Sequence, residues 1–175
     1  MANPQLMTGI GAAASIFLSA AGSAWASVPS GMFALRNSGI GIKAFFPIVI
    51  SGVLAIYGTI VSALLCSRLK GDDGEKADVT TEDGYRHLTA GLAVGLACLA
   101  SGAGMAKFLT AHSIATSPPR RGERDEIEEP LLALNAPMGQ LVGGGNFWTF
   151  TCVLVFLEAI GLYGLIVALF LMGPK

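Results

Sequence analysis

The sequence predicts an all-α membrane protein whose four transmembrane helices form a duplicated helical hairpin. Three observations predict it. Hydrophobic residues make up 53% of the 175-residue chain and charged residues only 13%, against roughly 25% charged in ordinary soluble domains. Four apolar runs, at residues 8–28, 44–67, 88–111 and 147–172, each reach the ~20 residues that an α-helix needs to cross a hydrocarbon core. The chain also matches itself. Ala55-Ile56-Tyr57-Gly58-Thr59-Ile60-Val61-Ser62-Ala63 lies over Gly161-Leu162-Tyr163-Gly164-Leu165-Ile166-Val167-Ala168-Leu169, with Tyr57-Gly58 set on Tyr163-Gly164, an internal repeat of the kind that duplicated membrane proteins keep.

The first run ends in Ser23-Ala24-Trp25-Ala26-Ser27, which imitates a signal cleavage site, but nothing basic precedes it. A secretory signal has a positive n-region, so a retained helix is expected. The second run is uninterrupted. The third contains Lys107, costly at the bilayer centre but able to snorkel to the interface from a last turn. The fourth is the most apolar. Between them lie polar, Gly-rich and Pro-rich segments. The organisation expected is a first hairpin over 1–70, a polar loop over 71–87, and a second hairpin over 88–175 with an inserted charged loop at about 117–145. The insertion carries Pro118-Pro119-Arg120-Arg121 and five acidic residues between 123 and 129, a composition that buries little apolar surface. Six Lys or Arg fall on one side of the four runs and five on the other, so the positive-inside rule sets no orientation.

The odd helices differ in kind from the even ones. Gly11, Ser15, Ser19, Gly22 and Ala26 in the first, and Gly91, Gly95, Cys98, Gly102 and Ala106 in the third, recur every three or four residues and share a face. Small residues in that pattern let helix backbones approach closely in lipid. Such ladders join membrane helices of many kinds, but two of them in register with a duplicated hairpin favour tight packing around an axis. The even helices carry Phe, Ile, Val and Leu over most of their length, as outer helices should.

Several function classes are excluded. Eleven Lys and Arg against twelve Asp and Glu give no basic field for nucleic acid. Cys66, Cys98 and Cys152 are odd in number and sit in apolar runs, so neither a disulfide nor a metal site is expected. His87 and His112 lack partners at metal-ligand spacing and are expected to be structural or interfacial. No GxxxxGK[ST] phosphate loop and no catalytic triad is present, so no catalytic residue and no cofactor is expected.

One residue stands apart. Of the twelve acids, six lie between 72 and 83, five between 123 and 129, and only Glu158 is inside a span, near its middle. An ionised side chain there costs about 2.5 to 3.5 kcal/mol on insertion scales, which a neutral, protonated acid largely avoids. A carboxyl so placed ionises only when water or a cation reaches it, the behaviour of a reversible proton carrier. The blander alternative is a neutral interhelical clamp, hydrogen-bonded to a hydroxyl such as that of Tyr57.

The residues then point to a family. Gly11-Ala12-Ala13 through to Gly31, Phe46-Pro47-Ile48-Val49 through to Ala55-Ile56-Tyr57-Gly58, His87-Leu88-Thr89-Ala90-Gly91-Leu92-Ala93-Val94-Gly95-Leu96, and above all Phe156-Leu157-Glu158-Ala159-Ile160-Gly161-Leu162-Tyr163-Gly164-Leu165-Ile166-Val167-Ala168-Leu169 resemble the proteolipid c subunits of eukaryotic V-type proton ATPases, over all four spans. The family also has a larger proteolipid relative with its working acid in an earlier hairpin, but here Gly52 holds the position that matches Glu158 in the repeat. The insertion at 117–145 is the main departure from the family pattern.

The resemblance implies a rotor ring of identical or mixed proteolipids in the bilayer, with Glu158 as the proton-carrying acid and Tyr57 as its hydrogen-bond donor. Gly11, Ser15, Ser19, Gly22, Gly91, Gly95 and Gly102 would then pack the ring's inner wall. It further implies a stator subunit a bearing a cation, a central-stalk subunit d, and residence in acidic endomembrane organelles such as the vacuole, lysosome or related vesicles. Both termini would be lumenal. The ion carried would be H+, because the positions that supply oxygen ligands in sodium-carrying relatives look here like Val53, Leu54 and Met105. The rival reading from another class is a non-pumping tetraspan protein that builds a junction, pore or lipid-sorting assembly.

Overall fold

The structure, a computed structural model, describes residues 3–36, 38–70, 79–116 and 147–173. These form four long helices: α1 (Pro4–Arg36), α2 (Phe46–Leu69), α3 (Thr81–Thr116) and α4 (Phe147–Leu171), with a short 3-10 segment, Ser38–Phe45, joining α1 to α2. No strand occurs among the described residues, and all four helices are long and apolar enough to cross a membrane. The inserted loop at 117–145 lies outside the described residues.

The helix starts have local causes. Pro47 occupies the first turn of α2, where its missing N–H would have had no partner and its fixed φ already suits the helix. At α3 the Thr80 hydroxyl accepts a hydrogen bond from the Asp83 backbone N–H at 3.3 Å and donates to the Asp83 carboxylate at 2.5 Å. Glu82 and Asp83 in that first turn also suit the positive end of the helix dipole.

Two helices are longer than hydrophobicity alone indicates. α1 runs through Pro29 to Arg36 because Phe33 and Ala34 are buried, with the Phe33 ring stacked on Phe150 of α4 at 5.0 Å between centroids. α3 begins at Thr81, so residues 81–87, expected in the polar loop, make its first two turns. There Gly84 lies against Pro4 and the Nδ1 of His87 is 3.1 Å from the Thr8 hydroxyl. At 33 and 36 residues, α1 and α3 span about 50 and 54 Å, well beyond a hydrocarbon core of about 30 Å. Lys107, which could snorkel from a last turn, stands more than two turns before the end of α3. Its side chain is exposed.

α1 and α3 form the central pair, α2 packs on α1, α4 packs on α3, and α2 also touches both α3 and α4. The central contact is backbone on backbone. A Cβ on Gly11 would lie 2.7 Å from the His87 carbonyl oxygen, and one on Gly22 would lie 2.5 Å from that of Cys98. A Cβ on Gly91 or Gly102 would strike the backbone of Gly11 or Gly22. Gly11 meeting Gly91 and Gly22 meeting Gly102 makes the two helices parallel. Within each hairpin the packing is antiparallel: Ser15 and Ser27 of α1 reach Gly58 and Ser51 of α2, and Gly164 of α4 sits against Ala93 and Ala97 of α3. The glycines of the two repeated Tyr-Gly pairs thus do the same work in each half.

The small-residue ladder of α1 is shared between two neighbours. Gly11 and Gly22 face α3, whereas Ser15 and Ser19 face Gly58 of α2. Gly95 takes Leu18 of α1, with 2.9 Å to where a Cβ would be. All seven residues expected to pack the ring therefore pack helices of one chain against each other. Large apolar side chains cover the outside, among them Ile56 and Val49 on α2 and Phe156, Tyr163 and Phe170 on α4, while α1 exposes Phe17 and Trp25 as well.

Candidate ion-binding site

Glu158 lies eleven residues after the start of α4 at Phe147 and thirteen before its end at Leu171, about 16 and 20 Å along the axis. Tyr57 lies eleven residues after the start of α2 at Phe46. The two helices run in the same direction, so the residues come to the same depth. The Tyr57 hydroxyl donates a hydrogen bond to Oε1 of Glu158 at 2.8 Å, and both side chains are partly buried.

The wall around the couple is apolar. A Cβ on Gly161, one turn after Glu158, would lie 2.8 Å from Leu54 Cδ2, 3.6 Å from Cys98 Sγ and 3.7 Å from the Tyr57 ring. The absence of a side chain at Gly161 leaves room for Leu54 of α2, and an added Cβ would make only ordinary contacts with Cys98 and Tyr57. Leu54, Cys98 and Met105 are fully buried in the core that Tyr57 and Leu157 pack against. Val53 is partly buried on α2. The site thus holds one carboxyl and one phenol. It can bind a proton, and hold the protonated acid in place through the phenol, but it offers no set of charged ligands. Among the described residues no group of three His, Cys, Asp or Glu side chains could hold a metal ion.

The other singled-out residues lie elsewhere. His87, bonded to Thr8, sits near the bundle end where α1 and α3 begin. His112 belongs to an aromatic cluster at the opposite end, 4.9 Å from the Phe150 ring and 5.6 Å from Phe33. Cys98 is buried, Cys66 and Cys152 are exposed, and all three are free thiols. In the repeat Gly52 matches Glu158, yet among the described residues nothing comes within 4 Å of where its Cβ would be. That position faces outward.

One neighbour of the site was not picked out in the sequence. Ser101 of α3, fully buried, donates to the Leu157 carbonyl oxygen at 2.6 Å, immediately before Glu158. The signal was a hydroxyl deep inside an apolar run beside Gly102, which has no water and must find an acceptor.

Four membrane-length helices with one acid held midway along its helix by a phenol have the architecture of a membrane proteolipid. No family model matches the chain. Among curated proteins it is 33% identical to subunit c' of the V-type proton ATPase of Saccharomyces cerevisiae, over 92% of this chain and 84% of that protein. It is 32% identical to the V-type proton ATPase 16 kDa proteolipid subunit c of Homo sapiens, over 93% of this chain and 88% of that one. The subunit c of Nephrops norvegicus is likewise 32% identical, over 93% and 87%. The chain belongs to the proteolipid c and c' subunits of V-type proton ATPases.

Proposed function

We propose that this protein is a proton-carrying rotor-ring subunit of the membrane sector of a V-type ATPase and that Glu158 carries the proton. The observation that bears most weight is the 2.8 Å hydrogen bond from Tyr57 to Glu158 at mid-depth of two helices long enough to span the bilayer. A protonated Glu158 donates no charge to lipid and keeps one oxygen satisfied by the phenol. A lone carboxylate at that depth would be strongly disfavoured, so loss of the proton must coincide with the arrival of a compensating cation or of water.

In a ring, each Glu158 would release its proton beside a cation on stator subunit a and take up another from an aqueous half-channel. It would cross the lipid-facing arc neutral. The broad apolar outer faces of α2 and α4, together with Phe17 and Trp25 of α1, suit contact with lipid and with neighbouring proteolipids, whether identical or mixed. The chain itself is a non-catalytic subunit. ATP hydrolysis on other subunits would drive rotation, transmitted through central-stalk subunit d, and the ring would acidify organelles such as the vacuole or lysosome. The transported ion would be H+, with no cofactor. The rival, a non-pumping tetraspan scaffold, gains no support from any contact described here.

The test is Glu158→Gln in the assembled complex, read by ATP-dependent acidification of sealed vesicles and by dicyclohexylcarbodiimide labelling, which modifies protonated carboxyls in apolar surroundings. Assembly with loss of both signals is expected. Normal acidification would overturn the proposal.

A further inference from the structure

The serines of these helices mostly turn inward on their own backbone. Ser19, Ser27, Ser30 and Ser51 each donate to a carbonyl three or four residues earlier in the same helix, the usual refuge for a hydroxyl in a helix interior. Ser101 does something else. Its hydroxyl reaches from α3 to the carbonyl oxygen of Leu157 in α4 at 2.6 Å.

The rest of the α3–α4 contact near the site is close but unaimed. Gly104 leaves room for Leu157, with 3.1 Å between its notional Cβ and Leu157 Cδ2, and Gly161 and Gly164 seat α4 against Cys98, Ala97 and Ala93. Smooth contacts of this kind resist separation better than they resist rotation or sliding. A hydrogen bond has a direction and a length, so it fixes both. The point it fixes is the residue immediately before Glu158, and successive helical residues are rotated by about 100°. A small turn of α4 would swing the carboxyl away from α2. The other member of the couple is held in a similar way, since Ser15 of α1 donates to the Gly58 carbonyl oxygen at 3.2 Å, immediately after Tyr57.

We infer that Ser101 is a positioning residue for proton exchange: its bond to Leu157 sets the rotation and height of α4 so that the Glu158 carboxyl meets the Tyr57 hydroxyl. The inference rests on the reading of Glu158 as the proton carrier. Ser101 acts through α4 and the Tyr57 contact, without touching the carboxyl itself. When the bond is lost, the carboxyl leaves the phenol more often and becomes easier to attack.

The experiment measures the rate of dicyclohexylcarbodiimide labelling of Glu158 at one fixed pH in membranes carrying the assembled complex. It compares the native chain with Ser101→Ala, Tyr57→Phe and the double variant. Ser101→Ala should label about three- to twentyfold faster, the range that follows from interhelical hydrogen bonds in membranes. Tyr57→Phe should do the same, and the double variant should be no faster than Tyr57→Phe alone. Should the alanine variant fail to assemble, Ser101→Cys keeps the volume with a poorer donor and should label at an intermediate rate. Native-rate labelling of the assembled serine variants, or a double variant whose acceleration is the product of the two, would overturn the inference. A Glu158→Gln complex that still pumps would overturn the carrier reading instead, a result separate from any change in labelling rate.

Discussion

Tyr57 and Glu158 stand at matching depths in two parallel helices, and the phenol of one donates to the carboxyl of the other across 2.8 Å. In the internal repeat these residues are not counterparts. Glu158 matches Gly52, and Tyr57 matches Tyr163, which is 61% exposed. Duplication therefore supplied two similar hairpins, and the hydrogen-bonded couple joins positions that the repeat does not equate.

Removing the phenol oxygen should loosen the acid without removing it. An interhelical hydrogen bond in a membrane contributes about 0.6 kcal/mol on average and up to about 1.7. Tyr57→Phe should therefore assemble and retain some proton transport, while fewer protons move per ATP hydrolysed because the carboxyl exchanges outside its proper sites. Simultaneous measurement of acidification and ATP hydrolysis checks this. An unchanged ratio would mean that the bond is incidental to transport.

Changing the acid itself separates charge from shape. Glu158→Gln keeps the volume and an oxygen that can accept from Tyr57, so the chain should insert and assemble but transport nothing. Glu158→Asp withdraws the carboxyl by one methylene from Tyr57 and from the cation proposed to meet it, and should be partly active at best. Vesicle acidification measured at equal subunit content distinguishes the three. An aspartate variant as active as the native chain would show that the reach of the side chain is immaterial.

The packing of α1 on α3 gives a prediction with an internal control. At Gly22 and Gly102 an added Cβ would run into the facing backbone, which cannot move aside as a flexible side chain would. Gly22→Val should cost about 1 to 3 kcal/mol or more through overpacking and lower the amount of assembled subunit. Gly52→Ala meets no atom of the described residues and should leave the amount unchanged. Immunoblots of membranes and of purified complex compare them. Equal tolerance of both changes would refute the backbone contact.

How much of this was legible in the sequence follows from the kind of signal each feature leaves. The spans were legible because a bilayer demands composition, and Glu158 because it is alone. Helix ends were less so. α1 continues past Pro29 because Phe33 finds Phe150, and α3 starts early because Thr80 caps it and Gly84 meets Pro4, contacts between segments far apart in the chain. The small-residue ladder was visible, but a pattern along one helix does not say which neighbour it meets. Ser15 and Ser19 thus proved to face α2 while Gly11 and Gly22 face α3. Ser101 was hidden for the same reason, since its acceptor lies 56 residues away.

The last prediction concerns which ion is carried. A sodium ion at mid-depth needs several oxygen ligands in place of its hydration shell, since hard cations prefer oxygen donors. A proton needs only the carboxyl. The positions expected to supply further ligands are Val53, Leu54 and Met105, and none carries an oxygen in its side chain. Leu54 lies beside Tyr57 at Gly161, and Leu54 and Met105 are both fully buried in the apolar core, so those positions offer hydrocarbon and a thioether. The one nearby hydroxyl on α3, Ser101, is directed at the Leu157 carbonyl. Recruiting backbone carbonyls would mean freeing them from helix hydrogen bonds in a medium without water, at several kcal/mol each. Glu158 and the Tyr57 hydroxyl remain as a two-group site, enough for a proton and too poor for sodium. Dicyclohexylcarbodiimide labelling of Glu158 at fixed pH should therefore be indifferent to added sodium and should fall as the pH is raised. Protection by millimolar sodium would require oxygen ligands that this arrangement of residues does not provide, and would overturn the assignment of the proton as the carried ion.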